Sequence, residues 1–280
     1  MPSITVEAFC KFRDFFYTKT GIFFDDGKRY FVDRRLLERM RACRAENFNE
    51  YFSLLRFEAN GEEFQLLVNL MTTNETYFFR EEYQFKSLVD SLLPELMLGR
   101  PPQPLRIWSV PAASGEEPYS IAIYLLEHWA EVDTHEIELL ASDIDTQMLR
   151  QAQAGVYTPR ALQYMPAPLV QKYFQALANG NFQISEDLRG SVSFSTVNVN
   201  DLSQTRLFRD MDIIFCRNLL IYFDELSRRE AAEMFYEALR PGGFICLGHS
   251  ESMSRISPLF TARRFPNGIV YQKPGGRNGR

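Results

Sequence analysis

This chain is poor in the residue types that most often carry covalent or metal chemistry. Among 280 residues there are four cysteines and three histidines. Cys10, Cys43, Cys216 and Cys246 lie far apart with no paired spacing. That gives little support to a disulfide framework or a zinc site and fits a reducing cytoplasm. His128, His135 and His249 are too dispersed for a metal cluster, so no metal is expected. No apolar run approaches the ~18–20 residues that span a bilayer. Met1–Ile4 has neither the basic nor the apolar stretch of a secretory leader. The expectation is a cytoplasmic protein without direct membrane insertion. Neither G-x-G-x-x-G nor G-x-x-x-x-G-K-[ST] occurs, so the backbone cradle that holds a pyrophosphate is missing.

What is present is a globular composition, 45% hydrophobic and 24% charged, able to bury a sizeable core. The length suggests two domains. The net charge of −5 argues against a general nucleic-acid binder. The charge is uneven, however. Between Lys28 and Arg44 seven basic residues, including Arg34, Arg35, Arg39 and Arg41, face two acidic ones, Asp33 and Glu38. A local basic face on an acidic protein points to an acidic partner, and a solvated helix face is the plainer alternative.

Apolar periodicity divides the chain. Phe9, Phe12, Phe15 and Phe16, then Leu36, Leu37 and Met40, then Phe64, Leu67, Val68 and Met71 mark three amphipathic helices, with no strand pattern among them. A helix over Phe85–Leu98 follows, broken by Gly99–Pro104. From Leu105 strands and helices alternate. Strands are expected at Leu105–Val110, Ile137–Ser142, Val192–Val199, Met211–Cys216, Phe244–Gly248 and Gly268–Gln272. Helices are expected at Pro118–Trp129, Thr146–Ala154 and Glu225–Leu239, the last closed by Pro241-Gly242-Gly243. Such alternation implies βαβ units around a mostly parallel sheet. Residues 155–191 interrupt it with short strand-like pieces.

Ligands of open α/β sheets bind outside the carboxyl ends of the strands. Three loops there carry polar residues. The first runs from Ser109 to Ser120 and brings Glu116 and Glu117 to a helix start, where charge capping is the plainer role. The second is Asp143-Ile144-Asp145. Asp143 is placed to accept ribose hydroxyls, and Asp145 to cap the next helix. The third, Cys216–Asp224, buries Arg217 and Asn218 in an apolar run, which is costly unless they are paired. Two carboxylates would repel a pyrophosphate but suit a cation or hydroxyls. S-adenosylmethionine offers a ribose, an amino group and a sulfonium. Ahead of the sheet, Asn74, Thr76 and Arg80 bracket an aromatic run, Tyr77-Phe78-Phe79, which on its own reads as core.

With these segments in view the chain resembles the CheR family of chemoreceptor glutamate methyltransferases. The resemblance is carried by Asn74–Glu81, Ser114–Ala122, Ala141–Thr146, Phe215–Asp224 and Pro241–Ser252, in family order, and extends from about Phe9 to Tyr271. It implies an α/β fold with a Rossmann-like S-adenosylmethionine methyltransferase sheet, an N-terminal all-helical domain and a small inserted β-subdomain. The corresponding division is 1–84 for the helical receptor-docking domain, 85–104 for a helix and linker, and 105–280 for the methyltransferase domain, with the insertion at about 155–191.

The resemblance also implies roles. Asn74, Thr76 and Arg80 would contact the cofactor from the linker side. Glu117 would hold its amino-acid portion, with Glu116 as a less certain neighbour, and Asp143 its ribose. Asn198 and Val199 would flank the adenine. Arg217 and Asn218 would close the methionine end, with Tyr222 near the transferred methyl. Arg80 or Arg217 would orient the substrate carboxylate and Tyr222 would align it. Arg34, Arg35, Arg39 and Arg41 would dock on acidic chemoreceptor helices. The product would be S-adenosylhomocysteine. Two departures from the family stand out. Pro111 removes an amide donor from the first loop. The turn Leu177–Asn181 is shorter than in members that grip a tethering pentapeptide, so a pentapeptide-independent enzyme is expected. A methyltransferase for another substrate and a non-catalytic scaffold that binds cofactor or receptor stay open as alternatives.

Overall fold

The computed structural model describes residues 4–98 and 103–275, so the expected break at Gly99–Pro104 lies mostly outside the described residues. The first helices follow the sequence periodicity. They are α1 (Val6–Thr20), α2 (Arg29–Ala42), α3 (Phe48–Phe57) and α4 (Glu62–Met71). The Thr5 side chain caps α1 by accepting from the Ala8 amide at 3.1 Å. Phe9, Phe12 and Phe16 form its buried stripe, and Val32, Leu36 and Met40 that of α2. These meet Leu67, Val68 and Met71 of α4 in one core. Burial of each such side chain is worth ~1.5–3 kcal/mol. Gly21 ends α1 at φ +73°. A Cβ there would lie 1.4 Å from Asn200 Nδ2, so only glycine lets the helical domain approach the sheet's loops.

Ten strands follow: β1 (Leu105–Ser109), β2 (Ile137–Asp143), β3 (Val156–Tyr157), β4 (Phe174–Ala176), β5 (Phe182–Ile184), β6 (Val192–Thr196), β7 (Met211–Cys216), β8 (Leu239–Leu247), β9 (Thr261–Phe265) and β10 (Gly268–Gln272). Seven of them form one sheet in the order β6-β2-β1-β7-β8-β10-β9. From β6 to β8 the pairing is parallel, and β10 and β9 add antiparallel. β7 is buried along its whole length, as a central parallel strand must be. The chain leaves β1 toward β2 and β6, then returns to β7 and β8 on the other side. The order therefore reverses between β1 and β7, where an open α/β sheet forms its ligand crevice. β3, β5 and β4 make the separate three-stranded sheet expected in the interruption.

Several details differ from the sequence reading. The helix expected from Pro118 starts at Glu116, with both glutamates in its first turn. The helix expected over Phe85–Leu98 contains a π-helical stretch, Leu88–Leu92, between Tyr83–Ser87 and Leu93–Met97. Pro241-Gly242-Gly243 does not close a helix but lies inside β8, at a shift of register against β7. A Cβ on Gly243 would sit 2.9 Å from the Met211 carbonyl oxygen, so glycine permits that close approach. β6 stops at Thr196, which leaves Asn198 and Val199 in the following loop. β9 was not expected. It pairs only with β10 at the sheet's margin, and its mixed burial gives little alternation to read.

Candidate active site

Three loops from the carboxyl edge and the 72–80 linker converge on one cleft. The loop after β1 is fixed by backbone bonds from Val110 to the Phe215 carbonyl and from Ala112 to the Ser142 carbonyl, both 2.8 Å. It delivers Glu117 on the first turn of helix Glu116–His128. Glu117 Oε1 accepts from Ser109 Oγ at 2.8 Å and Oε2 from Arg217 Nη1 at 2.9 Å. Burial pushes the Glu117 carboxyl up from its usual range, against the pull of Arg217. Glu116 turns away. Both its oxygens take the Ser114 hydroxyl, and it lines neither half of the cleft described below.

The loop after β2 carries Asp143. Its Oδ2 accepts the Ala113 amide and its Oδ1 the Asp145 amide, each at 2.8 Å. Burial raises this carboxyl to about 6, more than those amides lower it. Asp145 caps helix Thr146–Ala154 as expected. It also does what the sequence reading did not foresee. Its Oδ2 accepts from Thr72 Oγ1 at 2.6 Å and Asn74 Nδ2 at 2.9 Å, so it pins the linker to the sheet.

The loop after β7 supplies the rest. Arg217 is buried, pairs with Glu117 and with Glu81 Oε2 at 3.3 Å, and donates to the Arg80 carbonyl at 2.6 Å. Its Nε has no partner. Its pairing with two carboxylates holds Glu117 in place, while Arg217 itself lines the cleft. Burial works to raise Glu81, yet Arg217 and His249 bring it below the ordinary carboxylate range. Arg80 lies over the Tyr77 ring, 5.7 Å from its centroid, and bonds the Glu75 carbonyl. Asn218 sits at φ +59°. The Tyr222 hydroxyl is 3.5 Å from the Thr73 carbonyl.

The cleft has two connected halves that share Thr73, Asn74, Pro111, Asn218, Ile221 and Tyr222. The smaller, about 160 Å³, is the more polar of the two and adds Thr76, Arg80, Glu117 and Arg217. The larger, about 360 Å³, runs along Val110, Asp143, Val197, Asn198 and Val199. Apart from Glu116, the cofactor residues expected from the sequence therefore all border this cleft. Sequence reasoning missed Ser109 and Glu81, which orient Glu117 and Arg217, and a wall from the helical domain formed by Phe23, Phe24 and Phe31. Ser109 and Glu81 stood inside segments already singled out. The phenylalanines gave only a core-like signal.

The basic segment divides. Arg34 and Arg41 are exposed and lie seven residues apart on α2, with exposed Glu38 between them. Arg35 donates to the Leu70 carbonyl at 2.6 Å and stacks on Phe31. Arg39 departs from a docking role. Its Nε and Nη2 donate to Glu63 at 2.9 and 2.5 Å, inside the helical domain.

The cleft fits an adenosyl sulfonium donor. Part-buried Glu117 lines one half and buried Asp143 the other, Val110, Val197 and Val199 add apolar wall, and no glycine-rich cradle is present for phosphate. Comparison with known proteins agrees. The family described as CheR methyltransferase, all-alpha domain, matches residues 7–72, and CheR methyltransferase, SAM binding domain, matches residues 74–269. The chain is 51% identical to Chemotaxis protein methyltransferase 2 of Vibrio cholerae over 97% of its length and 94% of that protein's. It is 41% identical to Chemotaxis protein methyltransferase 2 of Pseudomonas aeruginosa, covering 91% and 90%. With Chemotaxis protein methyltransferase of Escherichia coli the identity is 34%, covering 88% and 85%. Among the described residues no helix is long and apolar enough to cross a membrane.

Proposed function

The chain belongs to the CheR methyltransferase family, and from that premise we propose that it methylates glutamate side chains in the cytoplasmic helices of chemoreceptors, forming methyl esters during sensory adaptation. The observation that carries this reading is the pair of carboxylates, part-buried Glu117 and buried Asp143, at the two halves of one cleft.

Bound S-adenosylmethionine supplies an electrophilic sulfonium methyl, and an ionised glutamate oxygen is the acceptor that takes it as the carbon–sulfur bond breaks. The acceptor has an ordinary pKa of ~4.3, so it arrives ionised and needs no general base. The chain's work is then positioning and exclusion of water, effects that reach ~7–11 kcal/mol in well-oriented cases. Glu117, held by Ser109 and Arg217, would take the donor's ammonium group. Asp143 would take the ribose hydroxyls, and Val199 and Asn198 would flank the base. Arg80, on the rim of the polar half, orients the incoming carboxylate, and the Tyr222 hydroxyl aligns it. Arg34 and Arg41 steer the acidic receptor helix. The compact turn in which Leu177 bonds the Asn181 carbonyl at 2.8 Å supports docking without a pentapeptide tether.

The test is transfer of labelled methyl from S-adenosylmethionine to purified receptor cytoplasmic fragments, with mild base then releasing labelled methanol. Label that stays on the protein through base treatment, or no transfer to any fragment, contradicts the proposal.

A further inference from the structure

The loop that carries Arg217, Asn218 and Tyr222 has an unusual anchor. Asn218 is left-handed, a conformation that leaves its amide outside any regular ladder. That amide is not lost to solvent. It donates to Glu251 Oε2 at 2.9 Å. The same oxygen accepts the Gly248 amide at 2.9 Å, and Oε1 accepts the Ile221 amide at 3.3 Å. One carboxylate thus ties the loop after β7 to the turn after β8. Gly248 is part of the device. A Cβ there would lie 3.0 Å from both Glu251 Oε2 and Asn218 Nδ2. Glu251 itself lines neither half of the cleft, whereas Asn218, Ile221 and Tyr222 line both.

We infer that Glu251 is a positioning residue for methyl transfer: its carboxylate, by gathering the amides of Gly248, Asn218 and Ile221, sets where the Asn218 and Tyr222 side chains stand in the cleft. This rests on the proposed methyltransferase activity and adds a residue that never touches donor or acceptor. A carboxylate suits the task because its two oxygens only accept. Three N–H groups converge on them, and charged acceptors make the stronger hydrogen bonds. An amide in its place would turn an NH2 group toward at least one of those donors.

The test is a set of variants of the full chain, read by methyl transfer to receptor fragments, by S-adenosylhomocysteine affinity in calorimetry and by thermal unfolding. Glu251→Gln should stay folded and lower kcat about tenfold, and Glu251→Ala should lower it further. Because Glu251 acts through Tyr222, adding Tyr222→Phe to Glu251→Ala should lower kcat by less than twofold beyond Glu251→Ala alone. Adding Asp143→Asn, on a separate loop, should multiply the losses in kcat/KM. General loosening of the fold would instead treat both pairs alike. The inference is overturned if folded Glu251→Gln keeps wild-type kcat and KM, or if its loss and that of Tyr222→Phe multiply in the double variant. That last pair decides the matter even if Glu251→Ala does not fold. A wild-type protein that transfers no methyl and does not bind S-adenosylhomocysteine would speak against the proposed function itself, not against this inference.

Discussion

Two part-buried arginine–glutamate clusters, one in each half of the molecule, use the same chemistry for different ends. In the helical domain Glu63 Oε1 accepts from Arg39 Nε and the Tyr51 hydroxyl, and Oε2 accepts from Arg39 Nη2. Burial works to raise Glu63, but these bonds bring its carboxyl below the ordinary range. At the cleft Glu117 has the same kind of partners, Arg217 and the Ser109 hydroxyl, yet burial prevails and its carboxyl is raised. Arg217 divides itself between Glu117 and Glu81 and keeps Nε without a partner. The first cluster is satisfied from within and stabilises. The second is left short of charge balance beside a cavity and can be completed by a cationic ligand. A raised pKa next to an empty volume is the more informative sign of function.

That contrast predicts where effects fall. Arg39→Ala leaves a buried carboxylate unpaired and should cost about 3 kcal/mol in denaturant unfolding, with S-adenosylhomocysteine affinity of the folded fraction within threefold of wild type. A large affinity loss would erase the distinction. Glu117→Gln should do the converse. It should weaken S-adenosylhomocysteine by roughly seventyfold, about 2.5 kcal/mol for bonds to a charged acceptor, while destabilising the protein less than Arg39→Ala does.

Asp143 sharpens the comparison through pH. Its folded value of about 6 lies above the ordinary 3.8, so it contributes stability below about pH 4 that is lost as pH rises through 6. Ligand-free wild type should therefore lose about 2 kcal/mol between pH 4 and 7 that Asp143→Asn does not lose. Parallel stability profiles for the two proteins would contradict this assignment. The smallest effect belongs to the surface. Reversing Arg34 and Arg41 should raise the KM for receptor fragments about threefold at low salt, and the difference should vanish at high salt. Arg39 is excluded from that set because its charge is already committed to Glu63.

The fold was largely legible because its signals are periodic. The periodic stripes Phe9–Phe16 and Leu36–Met40 read as helices, and the apolar run Ile213–Cys216 reads as the central strand. The site was legible where polarity conflicted with surroundings, as at Arg217, Asn218 and the two glutamates after Gly115. What stayed hidden depends on long-range partners. Arg39 and Arg34 look alike in sequence, and only Glu63, 24 residues on, separates a structural charge from a surface one. The pairing of Arg217 with Glu81 and Glu117 has no local signature either. Pro241-Gly242-Gly243 looked like a helix stop because its register shift against β7 has no local signature.

The central claim is that the paired cavities between β1, β2 and β7 form a single site for the methyl donor. A crystal structure with S-adenosylhomocysteine tests it most directly. The ribose hydroxyls should lie within hydrogen-bonding distance of Asp143, and the amino group should approach Glu117. A ligand bound elsewhere, with both carboxylates untouched, would contradict the account.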